Sequence, residues 1–467
     1  MSSHKGGKLK TYTLSEKLKY VSDYLDYLSQ CQATGAEVTV SKRKYAEDNH
    51  LNYKTFNGWI NEFSAGRLKQ SSIADRKRVK LAEREYFELN DLDFLQIIPS
   101  PKPATPAISI QYNEEAFNQR RCRFDRLIKN VAVVGGTHGN EVHGVYLVRE
   151  IEALKAVGEI QQKYSTIHLE ALIANPSAVE ARGTGNGRRY IDKDLNRCFL
   201  FQDLENNTSS IKRALEEKRA KEIDRLLGPK SSPVPATDFI VDVHSTTSNT
   251  GVLILCHPRD NLSISLAHQL KKRYCDISIA LWNEGDVALL PSIARSGITL
   301  EVGPVPHSTA VCTLYKLTRS IVWDIMGLID MHNLTLNQSS SQLAAEGYSD
   351  AVATVFQRYC SLGFPRDGAG NIIGFVHPSL HGIPELQNNS CIDHNTCLFE
   401  LLDGSILTLD TCKDFCTMEY SIAPEEGYVE LLYPMFINEA AYYEKDIAML
   451  LVVKRTISTK ELISINM

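Results

Sequence analysis

From residue 121 to residue 335 the chain alternates short aliphatic, β-branched runs with longer stretches of helical period. Residues 131–134, 167–174, 239–244, 253–256, 277–281 and 298–302 have strand length and composition. Between them, Val142, Val145, Leu147 and Val148 recur as one helical face behind a Gly135-Gly136 turn, and residues 212–227, 261–273 and 309–331 read as further helices. Strands alternating with helices predict an α/β fold, a mostly parallel or mixed sheet with helices on both faces. A Ser- and Asn-rich break at 333–342 closes this pattern. Beyond it, residues 343–467 carry short strands at 372–376, 397–402, 406–409, 428–432 and 448–453 between Gly, Pro and Asn, which predicts a C-terminal β-rich domain of partial-barrel type.

The front of the chain follows a different pattern. Leu14, Leu18, Val21, Leu25 and Leu28 fall on one helical face behind Thr13 and Glu16, and two short helices are expected at 41–48 and 52–60. This three-helix segment resembles the helix-turn-helix modules of transposase-derived and centromere-protein-B-like proteins, with the helix around Tyr53 to Ile60 facing the major groove. Pro99, Pro101, Pro103 and Pro106 make residues 96–120 a linker. The expected organisation is therefore 1–95 basic and helical, 96–120 linker, 121–335 α/β and 343–467 β-rich.

Charge reinforces the division. The net charge is −5, but residues 1–80 hold 15 Lys+Arg against 8 Asp+Glu, a balance of +7 that leaves −12 for the rest. Weak, charge-driven DNA binding through residues 1–95 is the corresponding expectation, and Arg76-Lys77-Arg78 could serve nuclear import or phosphate contact. Hydrophobic content of 43% and charged content of 23% are those of a globular protein. No apolar run reaches the roughly 18 residues of a membrane span, and no apolar stretch follows the polar first ten residues. Eleven cysteines without regular spacing fit reduced thiols, hence a cytoplasmic or nuclear setting with no membrane.

The candidate chemistry clusters at strand ends. His138 and Glu141, three apart at a helix start, can grip one ion. Among 13 histidines roughly one such pair arises by chance, so a third ligand decides the matter. The run 239–244 ends on His244, and catalytic zinc takes three protein ligands and keeps one position open. Asp242 shares the strand face of His244 and can orient it. Glu301 interrupts the apolar run 298–302, an expensive place for a carboxylate unless it serves as a general base. His257 and His307 are expected to be structural.

The phrases GGTHGNE, NPSAVEA with RRYIDKDLNR, LLGPK, DVHSTTSN, EVGPVP and INEAAYYEK resemble, in this order, the aspartoacylase branch of the aspartoacylase and succinylglutamate desuccinylase family. That family is similar in fold to the zinc carboxypeptidases. The resemblance implies a hydrolase with one Zn2+ per chain, held by His138, Glu141 and His244, that removes the acyl group from N-acyl amino acids. It implies that Arg189 polarises the scissile carbonyl, that Asn196 and Arg197 hold a carboxylate, and that Glu439, Tyr442 and Lys445 enclose the substrate. The arginine that N-acetylaspartate-specific members carry ten residues before the catalytic glutamate is Pro291 here, with Arg295 or Lys445 as candidate replacements; a sister group acting on N-acetyl aromatic amino acids lacks it too. A second reading is a DNA-binding regulator whose deacylase-derived domain senses a ligand. A homo-oligomer is compatible with either.

Overall fold

The computed structural model describes residues 126–181, 187–206, 213–283, 285–338, 350–421 and 431–460. The helices expected within 1–95, the linker at 96–120, most of the Gly-rich loop at 182–187 and most of the expected strand at 428–432 lie outside the described residues.

The strands in chain order are β1 (Asn130–Gly135), β2 (His168–Ile173), β3 (Phe239–Ser245), β4 (Val252–Cys256), β5 (Ile277–Leu281), β6 (Ser296–Val302), β7 (Asp350–Leu362), β8 (Gly374–Val376), β9 (Cys397–Leu401), β10 (Ile406–Thr408), β11 (Met418–Tyr420), β12 (Leu432–Met435) and β13 (Met449–Lys460). Ten of them form one sheet in the order β12-β13-β7-β5-β4-β6-β3-β1-β2, with β11 added beside β7. Strands β2, β1, β3 and β6 run parallel, β4 is antiparallel to β6, and β5 and β7 continue parallel to β4. The sheet is therefore mixed, and antiparallel β13 and β12 complete one edge.

Side-chain alternation sends each strand into two cores. Val131 and Val133 of β1 join a cluster with Leu147 and Ile151 of helix α1 (Val142–Ala156), Leu262 and Leu266 of α3 (Asn261–Arg273) and Ile321 and Ile325 of α4 (Cys312–Gln338). Ala132 and Val134 face the other way, onto Leu195, Phe199 and, from α2 (Leu215–Leu227), Ala220, Ile223 and Leu227. Each fully buried aliphatic side chain contributes about 1.5–3 kcal/mol, so covering both faces follows from the apolar runs themselves. Two glycines let α1 press onto the strand ends. A Cβ on Gly135 would lie 2.2 Å from the Gly144 carbonyl oxygen, and one on Gly144 would lie 2.7 Å from that of Val243.

The region after residue 343 departs from expectation. It does not stand apart from the central sheet: β7 pairs with β5, and β13, β12 and β11 extend the sheet from there, while β8, β9 and β10 form a small sheet of their own. The 13-residue β7 had no clear period to announce it. Ala353 and Val355 enter one core and Phe356 the other, and opposite Leu451 and Val452 the register slips between Arg358 and Cys360. A strand covered on both faces and bulged shows neither alternation nor a single apolar run.

Candidate active site

β1 ends at Gly135, and the turn that follows carries Thr137 and His138 before α1 begins behind Glu141. Beside it β3 delivers Asp242 and His244, and β6 sets Glu301 directly against His244 in register. Three parallel strand ends thus meet at one point, as α/β sheets gather polar groups.

The three expected ligands converge and are buried, their donor atoms all within 4.8 Å of one another. Nδ1 of His138 lies 2.7 Å from Oε1 of Glu141, Nδ1 of His244 lies 2.8 Å from Oε2, and the two Nδ1 atoms are 3.1 Å apart. Two imidazole nitrogens and a carboxylate aimed at one point need a proton or a metal ion among them. This donor set fits a three-ligand metal with an open position. Among the described residues it is the one group of this kind.

The opposite nitrogens are oriented by carboxylates. Nε2 of His244 faces Oδ2 of Asp242 at 2.8 Å, as the sequence predicts, and Asp242 is fixed by the Thr137 hydroxyl, which donates to Oδ1 at 2.6 Å. Nε2 of His138 faces Oδ1 of Asp194 at 3.0 Å. Sequence reasoning missed Asp194 and Thr137 as parts of the site. The signal for Asp194 was its place two residues before Asn196 in the same run. Such carboxylate partners set the imidazole tautomer and raise its basicity.

Charges follow these contacts. Burial pushes the Glu141 carboxyl up, but His138 and His244 outweigh it and hold Glu141 well below its ordinary range. Asp194 is likewise lowered against its burial by His138, Arg189 and Arg197. Burial depresses His244, yet Asp242 and Glu141 prevail and raise it. Glu301 goes the other way, to about 8: burial leads, the carboxylates of Glu141 and Glu439 add to it, and His244 and Arg189 oppose.

Arg189 donates from Nη1 to Glu141 at 3.0 Å and from Nη2 to Asp194 at 3.3 Å. Asn196 is buried, with Nδ2 3.3 Å from Oδ2 of Asp242 and 3.1 Å from Nε2 of His244, while its Oδ1 accepts from the Leu290 N–H. Its amide thus supports the His244 pair. Arg197 donates to its neighbour's carbonyl and has no carboxylate partner among the described residues. Glu439 grips the loop after β3: its Oε2 accepts from the backbone N–H groups of Thr247 and Ser248 at 2.8 and 3.2 Å, and from the hydroxyls of Thr246, Thr247 and Ser248. Burial pushes its carboxyl up, but His307, 3.5 Å from Oε1, and then the Thr246 and Thr247 hydroxyls outweigh it and bring it down to about 2. Tyr442 packs edge-on against Phe436, and burial pushes its hydroxyl up to about 12. Lys445 lies over the Tyr442 ring at 5.2 Å and 3.9 Å from Asp194.

These groups open on a cavity of about 500 Å³. His138, Glu141, Arg189, Asn196, Arg197, His244, Glu301, Glu439 and Tyr442 line it, whereas Lys445 and Asp242 do not. Much of the remaining wall is apolar, with Leu200, Leu255, Leu281, Trp282, Val287, Leu289, Met435, Phe436 and Leu450, and it also carries Asn283, Asp286, Thr299 and Arg358. The buried ammonium of Lys230, from the LLGPK phrase, ties this wall down by donating to the Phe199 and Val287 carbonyls at 2.7 and 2.8 Å. His257 stands edge-on to Trp282. Neither proposed replacement for the missing arginine reaches the apolar wall. Arg295 pairs with Asp238 at 3.3 Å, at the opposite ends of β3 and β6, because it precedes the first residue of β6. Pro291 itself sits in the buried turn Leu290–Ile293, packed on Gly297.

Residues 127–322 match the family model described as succinylglutamate desuccinylase/aspartoacylase catalytic domain. The chain is 32% identical to rat (Rattus norvegicus) aspartoacylase over 348 residues, 73% of this chain and 97% of that one. It is equally, 32%, identical to the human (Homo sapiens) N-acyl-aromatic-L-amino acid amidohydrolase (carboxylate-forming) over 329 residues, 69% and 89% of the two chains. The crystal structure of murine aminoacylase 3 is similar at 30% identity and a TM-score of 0.58, covering 72% of this chain and 99% of that one.

Proposed function

This chain belongs to the succinylglutamate desuccinylase/aspartoacylase family, and we propose that it is a zinc-dependent amidohydrolase that releases the acyl group from N-acyl amino acids with bulky apolar side chains. The observation that carries this is the converged His138–Glu141–His244 donor set beside Glu301, on a cavity much of whose remaining lining is apolar. Identity does not separate the aspartoacylases from the aromatic amidohydrolases. What supports an apolar side chain is the stretch of wall made by Leu281, Trp282, Val287 and Leu289, which offers no cation to an aspartate carboxylate beside it.

His138, Glu141 and His244 would hold the ion. When bound, zinc acts as a Lewis acid toward the amide carbonyl and lowers the pKa of a water beside it. Glu301, on the same face and next to His244, takes the proton from the attacking water and passes it to the leaving amine. The amide C–N bond breaks as the C–O bond forms, giving a carboxylate and a free amino acid. Arg189, fixed by Glu141 and Asp194, supplies positive charge where the carbonyl oxygen becomes negative. Arg197, with no carboxylate of its own, takes the α-carboxylate of the substrate, and Tyr442 closes the cavity above it. Asn196 serves through Asp242 and His244.

No helix among the described residues is long and apolar enough to cross a membrane. The +7 balance of residues 1–80 supports a separate role for the front of the chain in weak duplex binding, with the cytoplasm or nucleus as its setting.

The test is a substrate panel on protein stripped of metal by a chelator and then reloaded with zinc. N-acetylphenylalanine should be cleaved only after reloading, with kcat/KM at least ~10-fold above that for N-acetylaspartate. Cleavage of neither compound would refute the amidohydrolase reading, and a preference for N-acetylaspartate would refute the apolar specificity.

A further inference from the structure

The cavity runs along one face of the sheet, and strand register shows where it ends. Glu301 and Thr299 share a face of β6; Thr299 stands beside Leu255, Leu255 beside Ala280, and Ala280 beside Phe356. Two residues beyond Phe356 on that face comes Arg358, which lines the same cavity as Glu301. Strands β4 and β5 lie between β6 and β7. At about 4.8 Å per strand the two strands are roughly 14 Å apart, and because the register sets Thr354 level with Glu301, Arg358 stands a further ~13 Å along β7, a separation that the arginine side chain and an elongated substrate must span together.

Leu255, Leu281, Trp282 and Leu450 on the lining of the same cavity carry no charge, and the Arg358 side chain is 25% exposed. Its own contacts use only part of the guanidinium. Nη2 donates to the Ser361 hydroxyl at 2.9 Å and lies 3.9 Å from Glu419, a carboxylate with 73% of its side chain exposed and therefore a weak, water-screened partner. Nε is buried with no hydrogen-bond partner. A planar cation with an unused donor on the lining of a largely apolar cavity is suited to an anionic oxygen pair.

We propose that Arg358 is a specificity-determining residue that receives a carboxylate at the tip of an elongated, otherwise apolar substrate side chain. The preferred substrates are then N-acyl amino acids whose side chain crosses the channel as a ring or methylene run and ends in an acid. This rests on the amidohydrolase reading above. It replaces the arginine missing at Pro291 with one from another strand, at a greater distance from the scissile amide, so that a short acid such as aspartate falls out of reach.

The experiment compares N-acetyl-4-carboxyphenylalanine with its 4-carbamoyl isostere on the zinc-loaded full-length protein. The expected ratio of kcat/KM, acid over amide, is roughly 10- to 100-fold. Arg358→Gln should bring it close to one, chiefly through KM, and Arg358→Lys should retain part of it. Equal use of the two compounds by the unaltered protein, or a ratio unmoved by both substitutions, would overturn the assignment. If neither compound is turned over, the amidohydrolase reading fails on its own account, and calorimetric binding decides the role of Arg358. Binding of the acid over the amide that is lost in Arg358→Gln supports it; equal or absent binding overturns it.

Discussion

Replacing Glu439 with glutamine removes the charge on which the loop after β3 is assembled. One carboxylate oxygen accepts from two backbone N–H groups and three hydroxyls of Thr246, Thr247 and Ser248, and the side chain is only 5% exposed. The cost can be reached in two ways. Exchanging two hydrogen bonds to an anion, about 1.5–3 kcal/mol each, for two to a neutral amide oxygen, about 0.5–1.5 kcal/mol each, costs roughly 2–3 kcal/mol in all. Independently, the fall of the Glu439 carboxyl from 4.5 to about 2 corresponds, at about 1.4 kcal/mol per pH unit, to roughly 3 kcal/mol. Both give a loss of about 3 kcal/mol at neutral pH. Because the folded value is depressed, this stability is fully present above 4.5 and is lost as pH falls toward 2. Urea unfolding of the unaltered protein and of Glu439→Gln should therefore differ by about 3 kcal/mol at pH 7 and by less than half of that at pH 3. A difference below about 1 kcal/mol at pH 7, or one that does not shrink with acid, would refute the reasoning.

His244→Ala should leave the protein without bound zinc by elemental analysis, since two donors do not make a closed site, whereas Asp194→Asn should keep zinc with affinity weakened ~10- to 100-fold through His138. Burial, with Arg197 and Arg189 adding to it, pushes the Lys445 ammonium down to about 8, so its positive charge is present below that pH and lost above it. Lys445 does not line the cavity, so any effect on an anionic N-acyl amino acid comes from its charge beside Asp194: KM should rise as pH passes about 8, and Lys445→Met should abolish this rise, whereas a pH profile identical in the two proteins would remove Lys445 from substrate binding. An isolated fragment of residues 1–95 should bind duplex DNA at low salt and release it steeply as salt approaches physiological strength, while a chain lacking these residues keeps its deacylase activity. No duplex binding at low salt would end the DNA reading.

Much of this was legible because apolar runs end on polar residues. His138, Glu141, His244 and Glu301 each follow or interrupt a strand-length run, and the run lengths fixed β1 to β6 to within a few residues. What could not be read was whatever depends on pairing between distant segments. Asp194 belongs to no periodic element and becomes a partner of His138 only when its loop folds over β1. The reach of Lys445, the remoteness of Arg295 and the place of Arg358 on the same cavity as Glu301, with two strands between them, are all matters of sheet order. Sheet order in turn hangs on β7, whose two buried faces and bulge hide its period. Glu439 carries the same lesson: the INEAAYYEK phrase suggested contact with substrate, and the structure adds a grip on the loop that follows His244.

The most direct test of the account is Glu301→Gln, measured for zinc content and for turnover of N-acetylphenylalanine together. The amide keeps the shape of Glu301 but cannot accept a proton from water, so one zinc per chain should remain while kcat falls at least ~10²- to 10⁴-fold. Near-normal turnover with zinc in place would contradict the central claim that Glu301 is the base of this site.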